Sequence, residues 1–107
     1  MLFSPGDASL NPGAVGEFEK VAEFVNNFSP TKLIIEGHTD SDGDADSNMI
    51  LSVNRADAVV KYLIETYTFI TSSMIESRGY GENQPITPND TPENKTLNRR
   101  IEVVIWE

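Results

Sequence analysis

Residues 34–63 read IIEGHTDSDGDADSNMILSVNRADAVVKYL, and this stretch restricts the fold more than any other part of the chain. A short apolar run rich in β-branched residues, Leu33 to Ile35, breaks at Gly37. A polar loop follows to about Ser47, and an amphipathic pattern takes over near Asn48. A strand end, a polar loop and a helix start then converge on one place, a common layout for a binding site. The loop carries the chain's single histidine, His38, together with Asp40, Asp42, Asp44 and Asp46. Arg55 lies about two turns into the helix, within reach of the loop.

The flanking pattern completes a small domain. Leu2 and Phe3 are expected to end a first strand, and Ser4-Pro5-Gly6-Asp7 reads as a turn. Asn11-Pro12 supplies an N-cap and a first-turn proline for a helix running to about Phe28, whose apolar face is Val15, Phe18, Val21, Ala22, Val25 and Phe28. Lys32–Glu36 reads as a central strand buried on both faces. The second helix should span about Asn48 to Thr66, with Leu51, Ala58, Val59, Tyr62 and Leu63 facing the core. After it, a loop is expected to carry Phe69 and Ile70 inward, and a strand to cover roughly Met74 to Tyr80. Gly81 to Leu97 holds three prolines and reads as a long ordered loop or a short helical excursion. Arg99 to Trp106 alternates, with Ile101, Val103 and Ile105 on one side. The expectation is one α+β domain over residues 1–107, ordered β-α-β-α-β-β, with two helices packed on one face of a four-stranded mixed sheet.

Charge and composition narrow the function classes. The formal net charge of −9 opposes general nucleic-acid binding and docking on anionic lipid, both of which need a basic field. Cysteine is absent, which removes disulfides and thiolate metal sites. No stretch approaches the roughly 20 apolar residues of a spanning helix. The start, MLFSPGDASLNPG, has neither the basic region nor the apolar run of a signal peptide. So abrupt a start fits either a small cytosolic protein or a soluble piece cut from a longer chain, and the apolar residue at position 2 favours the piece.

The acidic loop suggests calcium at first sight. An EF-hand loop counted from Asp40 needs Gly at its sixth position and Glu at its twelfth, where this chain has Ala45 and Leu51. The bland reading is a solvated acidic loop. Zinc would need partners for His38, and with no second His and no Cys only a carboxylate-rich site could supply them; a structural hydrogen bond at the strand end is the expected role of His38. Paired carboxylates are inevitable among so many acids, and neither a Gly-rich phosphate loop nor a G-x-S-x-G element is present. No catalytic residue, metal or cofactor is therefore expected.

Arg55, Arg99 and Arg100 stand out because Lys and Arg number 8 against 17 acids. Surface pairing with those acids is one reading. The other is a carboxylate clamp, since the guanidinium fork matches carboxylate geometry. Asp40 and Asn48 on one side with Arg55 on the other would suit a zwitterion, its ammonium on Asp40 and its carboxylate on Arg55.

The runs EGHTDSDGDADSNMILSVNRADAVVKYL and GYGENQPITPNDTPENKTLNRRIEVVI resemble the two halves of the motif of OmpA C-terminal and MotB-like peptidoglycan-binding domains. The resemblance covers nearly the whole chain. It implies a non-enzymatic domain that binds the peptidoglycan stem peptide at meso-diaminopimelate and anchors an outer-membrane, lipoprotein or flagellar-stator-type protein to the cell wall. By that resemblance Asp40 takes the diaminopimelate ammonium, Arg55 its carboxylate, and Asn48 holds the peptide. Asp42 contacts the ligand from the loop, Arg99 and Arg100 contribute one rim arginine, and Phe3, Ser4 and Gly6 belong to a loop that walls the pocket. The resemblance further implies a periplasmic location, a membrane link only through a segment missing from this chain, and homodimerisation as an option. Ser4-Pro5-Gly6 sits nearer to stator relatives, whereas the short loop from Asp40 to Leu51 sits nearer to outer-membrane and lipoprotein members. Asn94-Lys95 replaces the usual Gly-Arg. A protein-interaction or dimerisation module without a glycan-peptide ligand, and a metal-dependent hydrolase using His38 and the Asp loop, are the rival readings.

Overall fold

The computed structural model describes residues 16–106. Their elements run α1 (Phe18–Phe28), β1 (Lys32–Gly37), α2 (Ala45–Thr66), β2 (Ile75–Gly79), α3 (Pro92–Asn98) and β3 (Ile101–Trp106). The class is α+β. The strands form one mixed sheet in the order β2-β1-β3, with β1 parallel to β2 and antiparallel to β3. Three strands, not four, are seen among the described residues; the expected strand at Leu2-Phe3, the turn after it and the Asn11 cap lie outside them. A third helix, α3, occupies part of the expected long loop. It forms because Thr91 caps it, accepting the Asn94 N–H at 3.1 Å, and Pro92 supplies a preset first turn.

One face of the sheet carries the core. Leu33 and Ile35 of β1 and Ile75 of β2 meet Phe18, Ala22 and Val25 of α1 and Ala56, Val59 and Leu63 of α2, with Ile70 alongside. Ile101 and Val103 of β3 pack on this cluster, as strand alternation requires. Both long helices therefore lie on the same face. Each fully buried aliphatic side chain there contributes about 1.5–3 kcal/mol by leaving water. Phe69 departs from expectation: Ile70 is buried, but Phe69 is 40% exposed and rests on Tyr67, with ring centroids 5.8 Å apart.

Helix α2 begins three residues before the expected Asn48, because Asp44 caps it by accepting the Ser47 N–H at 3.0 Å. Its buried line is also rotated from the expected one. Asn48, Ser52, Arg55, Ala56, Val59 and Leu63 are buried, while Leu51, Ala58 and Tyr62 are only half-buried. The apolar half packs on the sheet; the polar half lies across the strand ends. Two glycines allow that approach. A Cβ on Gly37 would collide with the Ser52 carbonyl, and one on Gly79 would lie 2.6 Å from Ser52 Oγ.

Candidate functional site

The backbone of β1 continues past Gly37 between its neighbours. The His38 N–H donates to Arg100 O and the Thr39 N–H to Gly81 O, each at 2.9 Å. This extension delivers Asp40, 5% exposed, to the carboxyl end of the central strand. Its two carboxylate oxygens have different partners. Oδ1 accepts the Asp42 N–H at 3.0 Å, and Oδ2 accepts Arg99 Nη1 at 2.6 Å. Asn48, in the first turn of α2, closes the loop from the other side, its Nδ2 donating to Asp42 O at 2.9 Å and to Asp40 O at 3.3 Å.

The remaining acids of the loop are used separately. Asp42 pairs with Lys95 of α3 at 2.9 Å, and Asp44 caps α2. Gly43, at φ 85°, provides the left-handed residue between them. The carboxylates of Asp40, Asp42 and Asp44 thus turn to three different partners rather than converging on one ion.

Arg99 is positioned by a residue that carried no signal in the sequence. Asn98, fully buried, accepts the Ile86 N–H (2.9 Å) and the Thr87 N–H (3.3 Å) and donates to Thr87 O and Asn89 Oδ1, both at 2.9 Å. All four capacities of the amide are used, which pins residues 86–89 against the end of α3. From that fixed point Arg99 reaches Asp40 and donates through Nη2 to Thr96 Oγ1 at 2.9 Å. Its buried Nε has no hydrogen-bond partner.

A pocket of about 180 Å³ opens here, lined by Thr39, Asp40, Asp42, Asn48, Leu51, Arg55 and Arg99. Arg55 is 4% exposed. A shallower groove of about 380 Å³ adjoins it along the first turns of α2, sharing Asn48 and Leu51 and adding Ile50 and Asn54. Of the residues singled out by sequence, Asp40, Asp42, Asn48, Arg55 and Arg99 surround one pocket. Arg100 does not join them. It points to the other side of the sheet, donating from Nε to Glu102 Oε1 (2.9 Å) and from Nη2 to Gln84 O (2.9 Å). Phe3, Ser4 and Gly6 lie outside the described residues. Thr39, Leu51 and Lys95 are not among the expected site residues, Leu51 being expected on the core face of the second helix; only the spatial closing of the loop brings them here.

His38 sits on that other side, 1% exposed, its ring stacked on Tyr80 with centroids 5.4 Å apart. The structural hydrogen bond expected of it is made by its backbone alone. Neither ring nitrogen has a hydrogen-bond partner, and Nε2 stands 3.5 Å from Glu102 Oε2, too far for a good one. Burial, and then the Arg100 charge, hold its pKa below the ordinary histidine value, against opposing pulls from Glu102 and Glu36.

Chemically the pocket offers carboxylate, amide and guanidinium groups with one apolar wall. None of the residues lining it is a His, Cys, Ser or Lys. The arrangement suits holding a ligand that carries both charges.

Residues 2–99 match the OmpA family. "Probable lipoprotein YiaD" of Escherichia coli is 36% identical over 105 residues, covering 98% of this chain and 47% of the relative. The peptidoglycan-binding protein ArfA of Mycobacterium tuberculosis is 33% identical, covering 98% of this chain and 32% of the relative. The chain thus spans less than half the length of these curated relatives. Among solved structures, the C-terminal domain of Helicobacter pylori MotB superposes with a TM-score of 0.84 at 26% identity, covering 99% of this chain and 82% of that one.

Proposed function

The chain belongs to the OmpA family, and on that premise we propose that it binds peptidoglycan without covalent chemistry, through the diaminopimelate residue of the stem peptide. The observation that carries this reading is the meeting of Asp40, Asn48, Arg55 and Arg99 around one small pocket. Opposite charges held by a strand end and a helix are complementary to the ammonium and carboxylate at the tip of such a side chain. Asp40 already has one partner on each oxygen, yet each oxygen has a second lone pair. An incoming ammonium is accepted there while Arg99 keeps its bond. The ligand carboxylate goes to Arg55, with Asn48 ordering the loop between them. A pocket of about 180 Å³ takes the end of one residue, and the adjoining groove receives its neighbour in the peptide. The name of the mycobacterial relative supports the ligand class.

Within a longer protein, such a domain would act as a cell-wall anchor in the periplasm, with the membrane link supplied by another segment. Binding to purified sacculi tests the site. Asp40→Ala and Arg55→Ala should each weaken retention by about 2–5 kcal/mol, since each strands an opposite charge of the ligand. Full retention of both variants, with circular dichroism unchanged, would sink the assignment and favour a protein-interaction module.

A further inference from the structure

We propose that Glu36, His38 and Glu102, on the sheet face opposite the helices, bind one divalent transition-metal ion, with Zn²⁺ the best match. The three side chains can each present one ligand atom so that all lie within 4.8 Å of one another. Topology brings them together. Glu36 and His38 are two residues apart along the extended β1 backbone and so share a face. Glu102 is the direct antiparallel partner of Glu36. Two carboxylates facing each other across a ladder repel, and the pairing is unfavourable without a cation between them.

Arg100 neutralises only part of that charge. It holds Glu102 by Oε1, leaving Oε2 directed at His38 Nε2, 3.5 Å away. Tyr80 donates its hydroxyl to Glu36 Oε2 at 3.1 Å. Both contacts orient a carboxylate from outside, as the outer partners of metal ligands do. His38 supplies the decisive observation. A buried ring with two unpartnered nitrogens is costly and calls for an explanation, and a metal ion at the carboxylates accounts for Nε2, the nitrogen that faces Glu102. The neutral imidazole it presents is the ligating form.

The donor set selects the ion. One imidazole nitrogen and two carboxylate oxygens suit Zn²⁺ and its neighbours, whereas Ca²⁺ and Mg²⁺ take oxygen alone. Tetrahedral Zn²⁺ with bonds of about 2.0–2.2 Å sets ligand atoms about 3.3 Å apart. Side-chain rotation of the two half-buried glutamates, about their bonds to Tyr80 and Arg100, closes the remaining gap. The bound ion would tie β1 to β3 directly behind the strand end that carries Asp40.

The test uses the untagged chain, stripped with EDTA and titrated with zinc chloride by calorimetry. The only histidine is His38, so its ring ¹⁵N resonances report ligation without ambiguity. One Zn²⁺ per chain should bind and move a ring nitrogen to the metal-bound shift. Glu36→Gln and Glu102→Gln, both near-isosteric, should each weaken binding at least tenfold. Asp44→Asn with Asp46→Asn should leave it unchanged, and millimolar Ca²⁺ should not compete. Unmoved ring resonances, wild-type affinity in both glutamine variants, or loss of binding in the loop double variant would each overturn the proposal.

Discussion

Two charged clusters grow from the same strand, two residues apart, and they are finished to different degrees. On the helix side, Asp40 has a partner on each oxygen, and the loop around it is closed by Asn48 and Lys95. On the open side, His38 is equally buried yet leaves both ring nitrogens without hydrogen bonds beside two glutamates. Consecutive arginines serve the two sides separately, Arg99 on Asp40 and Arg100 on Glu102. The difference shows what makes a cavity rather than a knot of charge. Around Asp40 the protein satisfies the buried carboxylate and still leaves space lined by Arg55, so the space is available to a ligand. Around His38 the two glutamates have their own donors in Tyr80 and Arg100, and the buried ring alone is left unsatisfied, with room for nothing larger than the ion proposed.

Replacing each arginine gives the widest separation between the sides. Arg99→Ala removes the cation from a carboxylate that is almost fully buried and should destabilise the fold by about 3 kcal/mol in chemical denaturation. A loss under about 1 kcal/mol would mean that Asp40 is solvated after all. Gly37→Ala acts only on the helix side, where the new methyl meets the Ser52 carbonyl. Overpacking of this kind should cost about 2 kcal/mol and widen the Asn48–Arg55 wall. An unchanged midpoint in urea would contradict the close approach of α2.

Acid titration probes the open side in metal-free protein. His38 is faced by Glu36 on its own strand, Tyr80 after β2, and Arg100 and Glu102 at β3, and its folded pKa lies below the ordinary 6.5. The unfolded chain therefore takes up its proton first as pH falls. Stability is full above about 6.5 and declines from there toward the lowered folded value, by at most about 1.4 kcal/mol per pH unit. His38→Gln should abolish this slope, and its persistence would assign it to another group. The smallest effect belongs to Arg100→Ala, at or below about 1 kcal/mol, because Glu102 is 44% exposed and screened by water. Sacculus retention should be unaffected by it, so a clear loss would move Arg100 into the binding region.

Periodicity made much of this architecture legible. The three- and four-residue spacing of Phe18, Ala22 and Val25, the β-branched run at Leu33–Ile35 and the alternation from Ile101 each report a local preference with one dominant period. The polar half of α2 escaped that logic. Ser52 and Arg55 are buried there because the helix crosses glycines at strand ends, and a helical pattern contains no information about what lies opposite. Asp40, Asn48 and Arg55 could be proposed as a group because they sit on one loop and the helix after it. Arg99 and Arg100 could not be told apart, since their directions depend on how Asn98 fixes the chain between α3 and β3. The orphaned ring of His38 was equally hidden, for burial without partners is a property of neighbours far along the sequence.

The position of β1 has a mechanical consequence. Among the described residues, Asp40 hangs from the end of the strand that is paired on both edges, in parallel with β2 and antiparallel with β3. The inter-strand hydrogen bonds run across the strand, so a pull along its axis loads the ladder bonds on both sides together, in shear. Tension entering at a ligand bound as proposed would be spread over the sheet before any single bond could be peeled away, and it would fall first on the loop beyond the strand end.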